Sequence, residues 1–118
     1  MAAQEQRQWR QAEQYYQQAL AIYGEFNDRY SQAPIYHQLG TVAQEQRQWG
    51  QARNFFLKTL EIKSASDDTD GLAITLRNLA RLWQASEDTD LPQAMTSLLH
   101  VTPEEVKTLL SSLLSEQA

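Results

Sequence analysis

Between Trp49 and Lys63 the large and small apolar positions fall at Trp49, Ala52, Phe56, Thr59 and Leu60, with the Lys63 stem continuing the line. This i, i+3, i+7 path is one face of a helix. Tyr36, Leu39, Gly40 and Ala43 draw a second helical face just upstream. The pattern breaks near Arg47-Gln48, and again near Asn27-Asp28 and Asp67-Asp68. It therefore predicts pairs of amphipathic helices, each pair closed by a polar turn. A shorter helix is expected over Leu91-Pro92-Gln93-Ala94-Met95-Thr96-Ser97-Leu98-Leu99. Another is expected after Thr102, with Val106, Leu109, Leu110, Leu113 and Leu114 on one stripe.

The pairs repeat. Displacing the chain by 40 residues lays Ala3-Gln4-Glu5-Gln6-Arg7-Gln8-Trp9 on Ala43-Gln44-Glu45-Gln46-Arg47-Gln48-Trp49, seven identities in succession. The match continues through Gln11/Gln51, Ala12/Ala52, Leu20/Leu60, Ile22/Ile62 and Asp28/Asp68, and Tyr15-Tyr16 is answered by Phe55-Phe56. A diverged third copy follows in phase, Leu39-Gly40 being answered by Leu79-Ala80, until the register slips by about two residues near Leu91-Pro92. Self-similarity at such a period is the mark of a stacked repeat. The divisions expected are a partial repeat over 1–28, a full repeat over 29–66, a diverged repeat over 67–100 and a closing helix over 101–118.

Local chemistry marks the helix ends. Asp28 and Asp68 are placed as N-caps, where a short carboxylate accepts the orphan amides of a first turn. Asp67-Asp68-Thr69-Asp70 puts several negative charges at a helix N-terminus, where the macrodipole favours them. Pro34 kinks or delays its helix if the helix starts at Arg29, and sits naturally if it starts at Ala33. Thr102-Pro103-Glu104-Glu105 is a capping box with proline at the first helical position. A solenoid closes its last hydrophobic face with an atypical element, and the helix after Thr102 is expected to do so here rather than to bind a partner.

Tyr36-x2-Leu39-Gly40-x2-Ala43 followed by Trp49-x2-Ala52-x3-Phe56-x2-Thr59-Leu60 resembles the tetratricopeptide repeat. The first copy shows the second half of that pattern as Trp9, Ala12, Tyr16, Ala19 and Leu20. Gly40, Ala52 and Ala12 are small where helices approach, and large residues fill the neighbouring holes. The departures are Ala43 for an aromatic, Thr59 for Ala and Ala80 for Gly. The period exceeds the usual ~34 residues and resembles the long-helix variety of multidomain signalling proteins. The fold implied is an all-α solenoid of helical hairpins with a C-terminal capping helix. The first copy starts at the position equivalent to Thr41, so the chain looks like a fragment cut inside a repeat.

The resemblance also implies a site. In tetratricopeptide solenoids the first helix of each unit lines a concave surface. The corresponding positions are His37, Gln38, Thr41 and Gln44 in one unit, and Ile74, Arg77, Asn78, Arg81 and Gln84 in the next. Arg77 and Arg81 lie one turn apart and match the two basic positions with which the third repeat of chaperone-cofactor domains grips a peptide carboxylate. That match is partial, since Thr41 stands where the clamp has Asn. A looser groove for an acidic or polar peptide is the broader expectation.

Composition narrows the function. The 118 residues hold no Cys and two distant His, which removes disulfides, thiolate chemistry and paired-histidine metal motifs. The four glycines stand singly in helical segments rather than in a phosphate-cradling loop, so neither cofactor nor catalysis is expected. A net charge of −5 argues against nucleic acid. Residues 1–66 carry a net +1 and residues 67–118 a net −6, which reads as acidic helix starts and loops. No apolar run approaches the ~20 residues a membrane helix needs, and no signal peptide opens the chain. The reading is a cytoplasmic scaffold binding a protein or peptide. The alternative is a regulatory segment of a larger multidomain signalling protein, with intramolecular contacts. An apolar stripe through Ala12, Tyr16 and Leu20, with only a stub from Ala2 to Gln8 to cover it, points to a homodimer through the N-terminal helices.

Overall fold

A computed structural model describes residues 3–65 and 69–116. It contains α1 (Ala3–Glu25), α2 (Arg29–Glu45), α3 (Trp49–Ser64), α4 (Thr69–Ser86), α5 (Leu91–Leu99) and α6 (Pro103–Glu116). Each of the first four packs on its neighbour in the chain, and α5 leans on α3. α6 closes the array by packing against both α4 and α5, with Val106 and Leu110 fully buried. The architecture is the expected all-α solenoid with a capping helix.

The core runs along the stack through Ala43, Ala52, Phe56, Leu60, Leu79, Leu82, Leu91, Met95, Val106 and Leu110. Burial of these side chains supplies the main drive to fold, roughly 1.5–3 kcal/mol for each large one. Ala52 is fully buried as a small contact residue should be, whereas Ala12 is half-exposed on α1. Trp49 is also only half-buried, at the edge of the core.

Helix ends follow the sequence closely. The Asp28 carboxylate accepts from the Ser31 amide at 3.0 Å and from its hydroxyl at 2.6 Å, and these bonds hold Asp28 below the usual carboxylate range. Asp68 lies outside the described residues. Thr102 Oγ1 accepts from the Glu105 amide at 3.2 Å while Glu105 reaches back to the Thr102 amide, completing the capping box. α2 starts at Arg29, so Pro34 lies inside it and removes the amide that would have bonded the Tyr30 carbonyl. α5 starts 42 residues after α3 rather than 40, which is where the register slips.

Four turns share one device. Asn27, Arg47, Glu87 and His100 all have left-handed backbone, φ 54–60°, one or two residues after a helix ends. The Asp28 amide bonds the Tyr23 carbonyl and the Gln48 amide the Ala43 carbonyl, both at 2.9 Å, the six-residue closure of a Schellman motif. Glycine usually occupies this position; here none does.

The repeat is not copied at the start of the chain. The residues before Trp9 are the first part of α1, which runs unbroken from Ala3. The identical residues Ala43 to Gln48 instead end α2 and turn the chain into α3. Their composition of Ala, Gln, Glu and Arg favours helix. Reversal requires Arg47 to enter the left-handed region, at about 1–3 kcal/mol, and α2 and α3 packed on each other offset that cost.

Candidate functional site

Because α3 stands between α2 and α4, the N-terminal halves of those two helices flank a cleft with α3 as its floor. Ala33, Pro34 and His37 come from α2, Gly71, Ile74 and Thr75 from α4, and Thr59 and Lys63 from α3, around about 200 Å³. Its threonines are spent locally. Thr59 Oγ1 donates to the Phe55 carbonyl at 3.0 Å and Thr75 Oγ1 to the Gly71 carbonyl at 2.9 Å. With their hydroxyls bonded inside their own helices, the two residues contribute methyl surface beside Ala33, Pro34 and Ile74. Ile74 itself is 51% exposed, an apolar side chain held at the cleft edge.

Two basic groups, His37 and Lys63, sit among the described residues of this apolar lining. Lys63 Nζ lies 4.7 Å from the centre of the Tyr30 ring, a cation–π arrangement. His37 is half-buried, its ring centre 5.9 Å from that of Phe56. Burial pushes its pKa below the ordinary value, and the neighbouring Lys63 charge adds to the depression. The His37 ring is thus neutral at pH 7, and its Nδ1 can accept from the Asn78 amide, 3.3 Å away. That contact joins α2 to α4 across the cleft.

Of the residues expected in the groove, the structure brings His37 and Asn78 together and puts His37 and Ile74 in the cleft lining. Thr41 and Gln44 are half-buried on α2, Thr41 with its hydroxyl donated to the His37 carbonyl at 3.1 Å. Gln38, Arg77, Arg81 and Gln84 are exposed on their helices and line no part of the cleft. Sequence reasoning passed over Ala33, Pro34, Thr59, Lys63, Gly71 and Thr75. Thr59 and Lys63 belong to a second helix, which the family rule places off the groove. Pro34 had drawn attention only as a helix breaker. Its position two residues before the Tyr36 stripe was the available signal.

A second open surface lies on α1, where Tyr15, Gln18, Ala19, Ile22 and Tyr23 surround a shallow hollow of about 240 Å³. Here the sequence expectation needs correction. Ala12, Tyr16 and Leu20 are half-buried, and α1 meets α2 along this side: Trp9 donates to Glu45 at 3.2 Å, Gln46 to Glu13 at 2.9 Å and Gln32 to the Leu20 carbonyl at 3.1 Å. The exposed large apolar residues on and just after α1 are Tyr15, Ile22, Tyr23 and Phe26, at 66%, 54%, 36% and 77% exposure.

No helix among the described residues is long and apolar enough to cross a membrane. A model of the tetratricopeptide repeat family matches residues 1–65 and, in a second register, residues 31–94. Comparison with curated proteins and with solved structures finds no match.

Proposed function

Since the chain belongs to the tetratricopeptide repeat family, whose members generally mediate protein–protein interaction and are typically non-enzymatic, we propose that it is a cytoplasmic scaffold that receives a peptide or protein segment between α2 and α4. The observation that carries the reading is the cleft, with apolar walls from Ala33, Pro34 and Ile74 and a basic floor from Lys63. Such a surface suits a segment that inserts one apolar side chain and sets a carboxylate near the lysine. Most of the directional energy would come from that charge-assisted contact, and the walls would contribute by area. His37 and Asn78 fix the spacing of the two flanking helices. Arg77 and Arg81, one turn apart on α4, extend the basic character beyond the cleft and would engage the rest of an acidic segment. In this reading the site is broader than the expected list, with Gln38, Thr41, Gln44 and Gln84 as peripheral contacts.

The test is fluorescence anisotropy with labelled acidic peptides that carry one aliphatic residue. Lys63→Glu and Ile74→Glu should each weaken binding at least about tenfold, while Lys107→Glu on α6 should leave it unchanged. Equal binding by all three variants would contradict the assignment.

A further inference from the structure

The two basic groups of the cleft differ in kind. Lys63 is a fixed cation near neutral pH, whereas the His37 ring gains a proton only as the pH falls. Burial opposes that gain, and so does the Lys63 charge. The other charged and titratable groups of the three helices stand outside the described lining. On α2 they are Arg29, Tyr30, Tyr36 and Glu45, on α3 Arg53, Lys58 and Glu61, and on α4 Asp70, Arg77 and Arg81. Arg29 and Lys58 pair with Glu61, Arg53 pairs with Asp88, and the Tyr30 ring lies beside Lys63. Among the described residues, Lys63 is thus the charge that shares the lining with His37.

We infer that an acidic segment enters this cleft together with a proton, which the His37 ring carries, so that occupancy of the site and the charge of His37 are coupled. This deepens the binding reading given above and rests on it. A carboxylate set near Lys63 exchanges the repulsion felt by a charged ring for attraction. The apolar side chain that fills the cleft displaces water, which strengthens that attraction. The step moves one proton from water to Nδ1, the ring nitrogen that lacks hydrogen when it accepts from Asn78, and no other covalent bond changes. The bridge to α4 survives it. In the charged ring both nitrogens donate, and an Asn78 amide turned over presents its oxygen to the same nitrogen, 3.3 Å away in the neutral form. The coupling therefore acts through charge and leaves the two helices in place. It is also reciprocal: as much as the proton favours the carboxylate, the carboxylate favours the proton.

The test uses a labelled, N-acetylated acidic peptide with one aliphatic residue and no histidine, whose carboxylates stay ionised above about pH 5.5. By anisotropy its affinity should rise about threefold or more from pH 8 to pH 5.5, and by no more than about tenfold per pH unit, the limit for one proton. His37→Gln should flatten the rise, and His100→Gln, on the turn after α5, should keep it. In the wild-type chain, ring resonances followed by nuclear magnetic resonance should show the His37 midpoint moving to higher pH with saturating peptide while that of His100 stays. Lys63-dependent binding with a flat pH profile, an unmoved His37 midpoint, or a rise that persists in His37→Gln overturns the coupling and leaves the cleft reading standing. Absence of Lys63-dependent binding at every pH overturns both.

Discussion

Gly40 lies directly against the ring of Phe56, so close that a β-carbon at position 40 would stand 2.7 Å from two of its ring carbons. The glycine is there because helix α2 must pass over an aromatic that α3 buries completely, and hydrogen is the only side chain that fits. Gly40→Ala should therefore destabilise the fold by about 1–3 kcal/mol through overpacking, against the usual gain from replacing glycine in a helix. Phe56→Leu in the Gly40→Ala background should recover part of the loss, since residues in contact do not act additively. Urea unfolding of the two single variants and the double variant measures the coupling.

Arg47→Gly should do the opposite. Arg47 holds a φ of 60° to close α2, and glycine adopts that conformation without a β-carbon clash. The relief, less the added freedom of the unfolded chain, is about 1 kcal/mol of stability, readable as a rise in denaturation midpoint at unchanged slope.

The pH dependence of stability should carry the signature of His37. Its folded pKa is depressed by burial and by Lys63, so the unfolded chain takes up a proton at higher pH than the native one. Stability is then full above the unfolded pKa, about 6.5, and is lost as pH falls through the lower folded value. Asp28 is also depressed, but its contribution is lost only below the ordinary carboxylate range. Melting temperatures between pH 7.5 and 5 should therefore fall less in His37→Gln than in wild type. Equal slopes would show that the ring is not desolvated as described.

The sequence disclosed the elements and their ends better than the surfaces between them. Asp28, Thr102 and Glu105 act through bonds to residues three positions away, so their roles were legible locally. The 40-residue identity disclosed the repeat, yet Ala3 to Gln8 and Ala43 to Gln48 share every residue and differ in structure. Only tertiary packing distinguishes them. The cleft was half legible for a similar reason. His37 and Ile74 lie on helices that the repeat pattern assigns to the groove, whereas Thr59 and Lys63 reach it from the helix behind. On α1, Tyr15 and Tyr16 are adjacent and chemically alike, and the position of α2 decides that Tyr15 is the exposed one.

Binding of a partner segment in the space between α2 and α4 can be followed residue by residue by nuclear magnetic resonance. Amide shifts of the isotope-labelled chain would be followed during titration with an acidic peptide bearing one aliphatic residue. Saturable shifts are expected at His37, Lys63, Gly71, Ile74 and Thr75, with the outward face of α1 around Ile22 and the exposed face of α6 around Ser112 unmoved. Shifts centred on α1 or α6, with the cleft residues silent, would contradict binding in this space.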